Sequence, residues 1–89
     1  VSQMRIFLEL AVPFLKVGGK VLLMKGKNYQ IEVEESLFAL KTLNSEICDI
    51  IKYELPNNLG SRVIIEVLKK KKTSTLYPRT YNLIKGKPL

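Results

Sequence analysis

Between Ser2 and Lys16, apolar residues recur at helical spacing: Met4, Phe7, Leu8, Ala11 and Leu15. This predicts an amphipathic helix, with Ser2 placed to cap its start. Pro13 limits the helix, because its ring clashes with the carbonyl four residues back, so the regular turns are expected to end near Val12. The stretch PFLKVGG then reads as a turn in which Gly18-Gly19 supplies the positive φ that reverses the chain. Val21 to Met24 form an unbroken apolar run. Apolarity without alternation predicts a strand buried on both faces, of the kind found in parallel sheets covered by helices.

In NYQIEVEESLFALKTLN, Val33, Leu37 and Leu40 share one stripe with Phe38 beside it, and Asn28 stands where a helix cap would. Glu32, Glu34 and Glu35 crowd the first turns while Lys41 lies near the end, an order that complements the helix dipole. CDIIKYELP and RVIIEVLKK are rich in β-branched residues and are separated by NNLG, which predicts two antiparallel strands joined by a short loop. The order is thus helix, strand, helix, strand, strand, followed by a basic C-terminal arm. This is half of an α/β sheet, and it leaves at least one sheet face and one edge without cover. A start at Val1 rather than Met fits a chain that begins inside something longer.

With 89 residues the chain makes one small domain at most. Charge divides it unevenly. Residues 1–68 hold equal numbers of basic and acidic side chains, whereas Lys69, Lys70, Lys71, Lys72, Arg79, Lys85 and Lys87 follow with no carboxylate among them, so the net charge of +7 belongs to residues 69–89. The expected division is a partial domain over 1–68 and a basic arm over 69–89. Such an arm attracts polyanions, nucleic acid first and an anionic membrane surface second; a disordered solubility tail is the plain alternative. Tyr77-Pro78-Arg79 and Tyr81 add aromatic groups able to stack on bases, which a solubility tail does not need. The arm lacks an amphipathic apolar face, which weakens the membrane reading. One cysteine and no histidine leave neither a disulfide framework nor a zinc ligand set, and they suit a reducing cytoplasm; Cys48, within an apolar run, reads as core. No apolar run reaches the roughly 18 residues of a membrane span.

PFLKVGGKVLLMKG resembles the helix-to-strand passage in the second half of Rossmann-like, S-adenosylmethionine-dependent methyltransferases. LMKG followed by an acidic helix, Leu55-Pro56 followed by Arg62 opening a β-branched strand, and Thr73 followed by Tyr77-Pro78-Arg79 and a Lys-x-Pro-Leu ending are similar to the C-terminal half of the ribosomal RNA small-subunit methyltransferase G family, also called glucose-inhibited division protein B. The resemblance covers nearly the whole chain. It implies a Rossmann-like fold, a cytoplasmic enzyme of rRNA processing, S-adenosylmethionine as cofactor, and 16S rRNA or the small ribosomal subunit as partner, with methyl transfer to a guanine N7. It also implies a gap. The glycine-rich cofactor loop after the first strand and the acidic residue after the second belong to the family's N-terminal half, and Gly18-Gly19 precedes a strand rather than following one. The chain alone is therefore expected to be inactive. Where the family has a Pro-Gly step and a further Pro after Tyr-Pro-Arg, this chain has Tyr81-Asn82 and Ile84, so the turn is expected at Asn82 in left-handed backbone.

Guanine N7 carries an available lone pair, so methyl transfer to it needs alignment rather than a general base, and cationic and aromatic side chains suit the task of holding the RNA. Lys25, at the carboxyl end of its strand, reads as a contact to an RNA phosphate or the guanine edge, or as a solvated strand-end lysine. Arg62 reads as an RNA or active-site contact, or as the partner of Glu54 across the hairpin. Lys69, Lys70, Lys71 and Lys72 are candidates for phosphate contacts, and Tyr77, Arg79, Lys85 and Lys87 complete the RNA-binding candidates. A non-enzymatic RNA-binding or ribosome-associated module stands as the alternative function.

Overall fold

The computed structural model describes residues 3–89, so the cap expected at Ser2 lies outside the described residues. Helix α1 spans Met4–Ala11 and runs on as a single 3-10 turn over Val12–Phe14, with Pro13 in its opening positions. The helix thus stops where the proline is expected to stop it. Met4, Leu8 and Val12 form one i, i+4 row and are fully buried. Gly18 takes φ 87°, and a Cβ on Gly19 would sit 2.9 Å from the carbonyl oxygen of Lys16. One glycine thus supplies the backbone reversal and the other permits the close approach.

Strands β1 (Lys20–Lys25), β2 (Ser45–Glu54) and β3 (Ser61–Lys69) form one sheet in the order β1-β3-β2. β3 runs antiparallel to both neighbours. It follows that β1 and β2 are parallel to each other, joined by helices α2 (Tyr29–Glu35) and α3 (Leu37–Thr42), with the last strand inserted between them. A helical crossover between parallel strands is the α/β unit that the element order predicts. The fully covered parallel strand expected of Val21–Met24 is not what forms. β1 pairs antiparallel with β3, Leu23 is buried, and Leu22 and Met24 are 64% and 63% exposed. The run is apolar enough for two covered faces, but α1, α2 and α3 cover one. The core on that face is Met4, Leu8, Val12, Leu23, Leu40, Leu43, Val63, Ile65 and Val67.

The acidic helix is two short helices, not one. They meet at Ser36, whose hydroxyl donates to the Glu32 carbonyl at 2.7 Å alongside its own N–H at 3.0 Å. After the break the buried residues are Ala39, Leu40 and Leu43, while Leu37 and Phe38 face solvent. Asn28 precedes α2 without a side-chain capping bond. β2 and β3 form the expected hairpin, closed through Asn57, Asn58 and Gly60 at positive φ and a Leu55 N–H to Gly60 carbonyl bond of 2.8 Å. Cys48 is not core. The β2 register shifts between Ile47 and Asp49, and the bulged cysteine is pushed out to solvent.

The segment beyond Leu68 is not a free arm. Lys69 is the last residue of β3, and the chain returns across α1 to end in helix α4 (Tyr81–Gly86). Ile84 is buried, and Tyr77 and Leu89 pack against the core. Asn82 lies inside α4 and not in left-handed backbone. Lacking the Pro-Gly step, residues 81–86 are free to wind into a helix that tucks Ile84 inward.

Candidate nucleic-acid interface

Three of the cations picked out by sequence are consumed by the fold. Lys25 is buried, with its ammonium 3.0 Å from the Glu32 carboxylate. Glu32 also accepts from the Met4 N–H at 3.0 Å, so one α2 carboxylate holds both the end of β1 and the start of α1. Lys25 is therefore neither a solvated strand-end lysine nor a surface contact in this chain. Lys69 is turned inward, and its ammonium donates to the carbonyls of Val12, Pro13 and Leu15 at 3.0, 3.3 and 2.8 Å. The Val12 carbonyl also accepts from the Leu15 N–H at 3.0 Å, and the lysine adds a donor to the three carbonyls at the turn where Pro13 ends α1. Its place on the covered face, not the charge run, decides its role, and this corrects the expectation that it contacts phosphate.

Arg79 makes the third internal pair. Its guanidinium meets Glu9 in bidentate fashion, with Nε to Oε2 at 2.9 Å and Nη2 to Oε1 at 2.8 Å, and its own N–H adds a bond to Oε2 at 2.9 Å. Nη2 also donates to the Lys87 carbonyl at 2.9 Å, which ties the end of α4 to α1. Glu9 is 0% exposed. Burial alone would raise its pKa, but the side-chain and backbone hydrogen bonds and the charge of Arg79 outweigh burial and hold it below the usual 4.5. The Arg79 pKa is raised in turn, first by its bond to Glu9. Sequence reasoning missed Glu9; the available signal was a carboxylate between Leu8 and Leu10 in a helix whose other residues, Arg5 apart, are apolar. Tyr77 is partly buried against the core, which leaves less of its ring for stacking than a free arm would.

The remaining cations are displayed at the two ends of the sheet. At the carboxyl ends of β1 and β2 a cleft of about 430 Å³ is lined by Gly26, Lys27, Tyr29, Lys52, Tyr53, Glu54, Ser61, Arg62 and Val63. Arg62 faces Tyr53 in the ladder and donates to the Ser61 carbonyl at 2.8 Å, so the expected cross-hairpin pair with Glu54 does not form. Lys52 lies 5.8 Å from the centroid of the Tyr29 ring. Three cations and two phenols around one strand-end cleft suit a phosphate and a neighbouring base. Lys70, Lys71 and Lys72 are displayed at the opposite end of β3, and Lys85 and Lys87 lie on the surface of the C-terminal segment.

No nucleophile stands ready among these groups. The Cys48 thiol contacts Glu66, whose carboxylate Lys20 holds at 2.7 Å, and partial desolvation together with that acid pushes the thiol pKa up. Among the described residues no cluster of three or more His, Cys, Asp or Glu is placed to hold a metal ion, and no helix is long and apolar enough to cross a membrane.

The described residues thus form a crossover α/β unit with cations displayed at its strand ends. Along its whole length the chain is similar to proteins named ribosomal RNA small subunit methyltransferase G. It is 44% identical over 89 residues to the protein of that name from Streptococcus sanguinis, covering 100% of this chain and 37% of the relative. The Streptococcus gordonii protein of the same name is 43% identical over the same span, and the Syntrophomonas wolfei protein is 40% identical over 88 residues, 41% of its length. No family model matches the chain. The chain spans about two-fifths of the length of the curated relatives it matches.

Proposed function

We propose that this chain is the C-terminal part of a 16S rRNA guanine-N7 methyltransferase that uses S-adenosylmethionine, and that it supplies scaffold and RNA contacts but no methyl transfer by itself. The observation that carries the reading is full-length similarity to proteins named ribosomal RNA small subunit methyltransferase G, at 37 to 41% of their length. The shape of the fragment agrees. Leu22, Met24 and Ile51 leave an apolar sheet face open, and β1 pairs on one side only among the described residues. A Rossmann-like sheet in the cytoplasmic enzyme would continue past β1 and be covered on this second face by the rest of the longer protein.

The residues present do not build a cradle for the cofactor. The strand-to-helix turn after β1, Gly26-Lys27-Asn28, carries a single glycine, and Gly18-Gly19 is committed to reversing the chain before a strand. The cofactor site accordingly belongs to the remainder of the protein, and no chemical step is assigned to this chain. What the chain contributes is position. Arg62, Lys27 and Lys52 around the carboxyl-end cleft hold RNA phosphates, and Tyr29 and Tyr53 border the space for a base. Lys25, through Glu32, fixes the β1 end that forms one wall.

Calorimetric titration and a methyl-transfer assay test this reading. The 89-residue chain gives no saturable heat with S-adenosylmethionine and no methylation of 16S rRNA. A longer family protein containing this segment gives both, with methylation lowered at least about tenfold by Arg62→Gln. Saturable cofactor binding by the chain alone would contradict the reading, as would unchanged methylation in the Arg62→Gln protein.

A further inference from the structure

The end of the sheet opposite Arg62 holds a second cationic site with a built backbone. Asn44, between α3 and β2, adopts φ 54°. Its carbonyl accepts from the N–H groups of Lys70 and Lys71 at 2.8 and 3.4 Å, and its side-chain amide donates to the Lys72 carbonyl at 2.9 Å. The lysine run is thus pinned along its main chain. Lys69 points into the covered face, and the side chains of Lys70, Lys71 and Lys72 remain accessible to solvent.

Beside the pinned run lies a groove of about 460 Å³, with Leu37, Leu40 and Ile47 along its floor and Lys41, Lys70 and Lys71 at its rim. Glu46 is the one carboxylate lining it, and it meets Lys70 loosely at 3.7 Å with both side chains about half exposed. Surface pairs of this kind are worth little and exchange readily for a stronger anion. A solubility tail has no need of a fixed backbone, and an acidic peptide has no need of an apolar floor. A single-stranded nucleotide uses both, laying its base on the apolar floor while the flanking phosphates meet the lysines.

We infer that this groove is a second RNA-contact site, engaging single-stranded rRNA about 25 Å from Arg62, the reach of β3 between them. The inference rests on the rRNA reading above and extends it. The two ends of one strand hold one RNA at two points, and the groove sets its path across the protein without touching the reacting base.

Fluorescence anisotropy with a labelled single-stranded oligoribonucleotide, titrated at several KCl concentrations, tests it on the full 89-residue chain. In Lys41→Gln/Lys71→Gln/Lys72→Gln, affinity at about 0.1 M salt falls by about tenfold to a hundredfold and the log–log salt slope becomes shallower by about 2, near 0.7 for each phosphate no longer neutralised. These changes leave every main-chain bond to Asn44 in place, and circular dichroism serves as the check on folding. Asn44→Gly keeps the left-handed backbone but frees the Lys72 carbonyl, and lowers affinity a few-fold with the slope unchanged. Parent-like affinity and slope in the triple variant would overturn the inference. If Lys27→Gln/Arg62→Gln alone weakens binding, the rRNA reading stands and this site falls; if the parent chain binds no RNA, both fall. Stronger binding to phosphatidylserine vesicles than to RNA, abolished in the triple variant, would assign the groove to a membrane and overturn it as well.

Discussion

The two faces of the sheet each carry groups that an ordinary surface or core would place elsewhere. The covered face buries Lys25 and Lys69 among its apolar core and α1 buries Glu9 against the C-terminal segment, whereas the open face presents Leu22, Met24 and Ile51 to solvent. Each buried charge is answered: Lys25 by Glu32, Lys69 by three carbonyls, Glu9 by Arg79. The exposed apolar groups have no such answer within the described residues. The covered face is therefore a finished surface whose polar groups fasten elements together, and on the function proposed above the open face is one that a longer protein finishes. Burial of charge marks completion here, and exposure of hydrocarbon marks a junction.

The comparison breaks most sharply at Arg79. Replacing it by Met strands a buried carboxylate, and the expected cost is about 3–5 kcal/mol, measured by urea unfolding. Adding Glu9→Gln to that variant restores part of the loss, because no lone charge is then buried. The same pair sets an acid limit. Glu9 has a folded pKa below its ordinary 4.5, so the stability it lends is complete above about that pH and is lost as pH falls through the folded value. In Arg79→Met the backbone N–H of residue 79 still donates to Glu9, but the bonds and charge of the guanidinium no longer oppose burial, so the Glu9 pKa moves up and the acid transition shifts to higher pH.

Leu23 and Leu22 sharpen the contrast, being neighbours in one strand on opposite faces. Leu23→Ala is expected to cost about 3 kcal/mol, since Leu23 is 6% exposed, and Leu22→Ala less than about 0.5 kcal/mol in the chain alone. Thermal denaturation of the two variants separates the faces; equal losses would remove the distinction. Lys69 and Lys70 make the corresponding pair among cations. Lys69→Met removes the ammonium from three carbonyls, of which Val12 alone keeps a backbone donor in the Leu15 N–H, and costs about 2 kcal/mol, whereas Lys70→Met falls within about 0.5 kcal/mol of the parent.

Much of the architecture was legible in the residues. The stop at Pro13, the reversal at Gly18, the acidic order of α2 and the β2–β3 hairpin all follow from local rules, and the uncovered face and edge followed from counting elements. What local rules missed depends on contacts distant in sequence. Lys69 and Lys70 are indistinguishable in a lysine run, and only strand alternation against α1 sends one inward. Glu9 and Arg79 are 70 residues apart, so nothing local reveals that the tail is strapped down. Val21–Met24 has the composition of a strand covered twice, and the covering of its second face is not a property of these residues alone. The cationic clefts were legible in part: Arg62 and Lys70 to Lys72 were named, but Lys27, Lys52 and Lys41 came together only through the fold.

Hydrogen exchange on β1 tests the central distinction most directly, comparing the 89-residue chain with a longer family protein that contains it. The account predicts that the amides of β1 directed away from β3 exchange at least about tenfold more slowly in the longer protein, while those bonded to β3 change little. Equal exchange at both sets of amides would show that the open face and edge are finished surfaces, and would contradict the account.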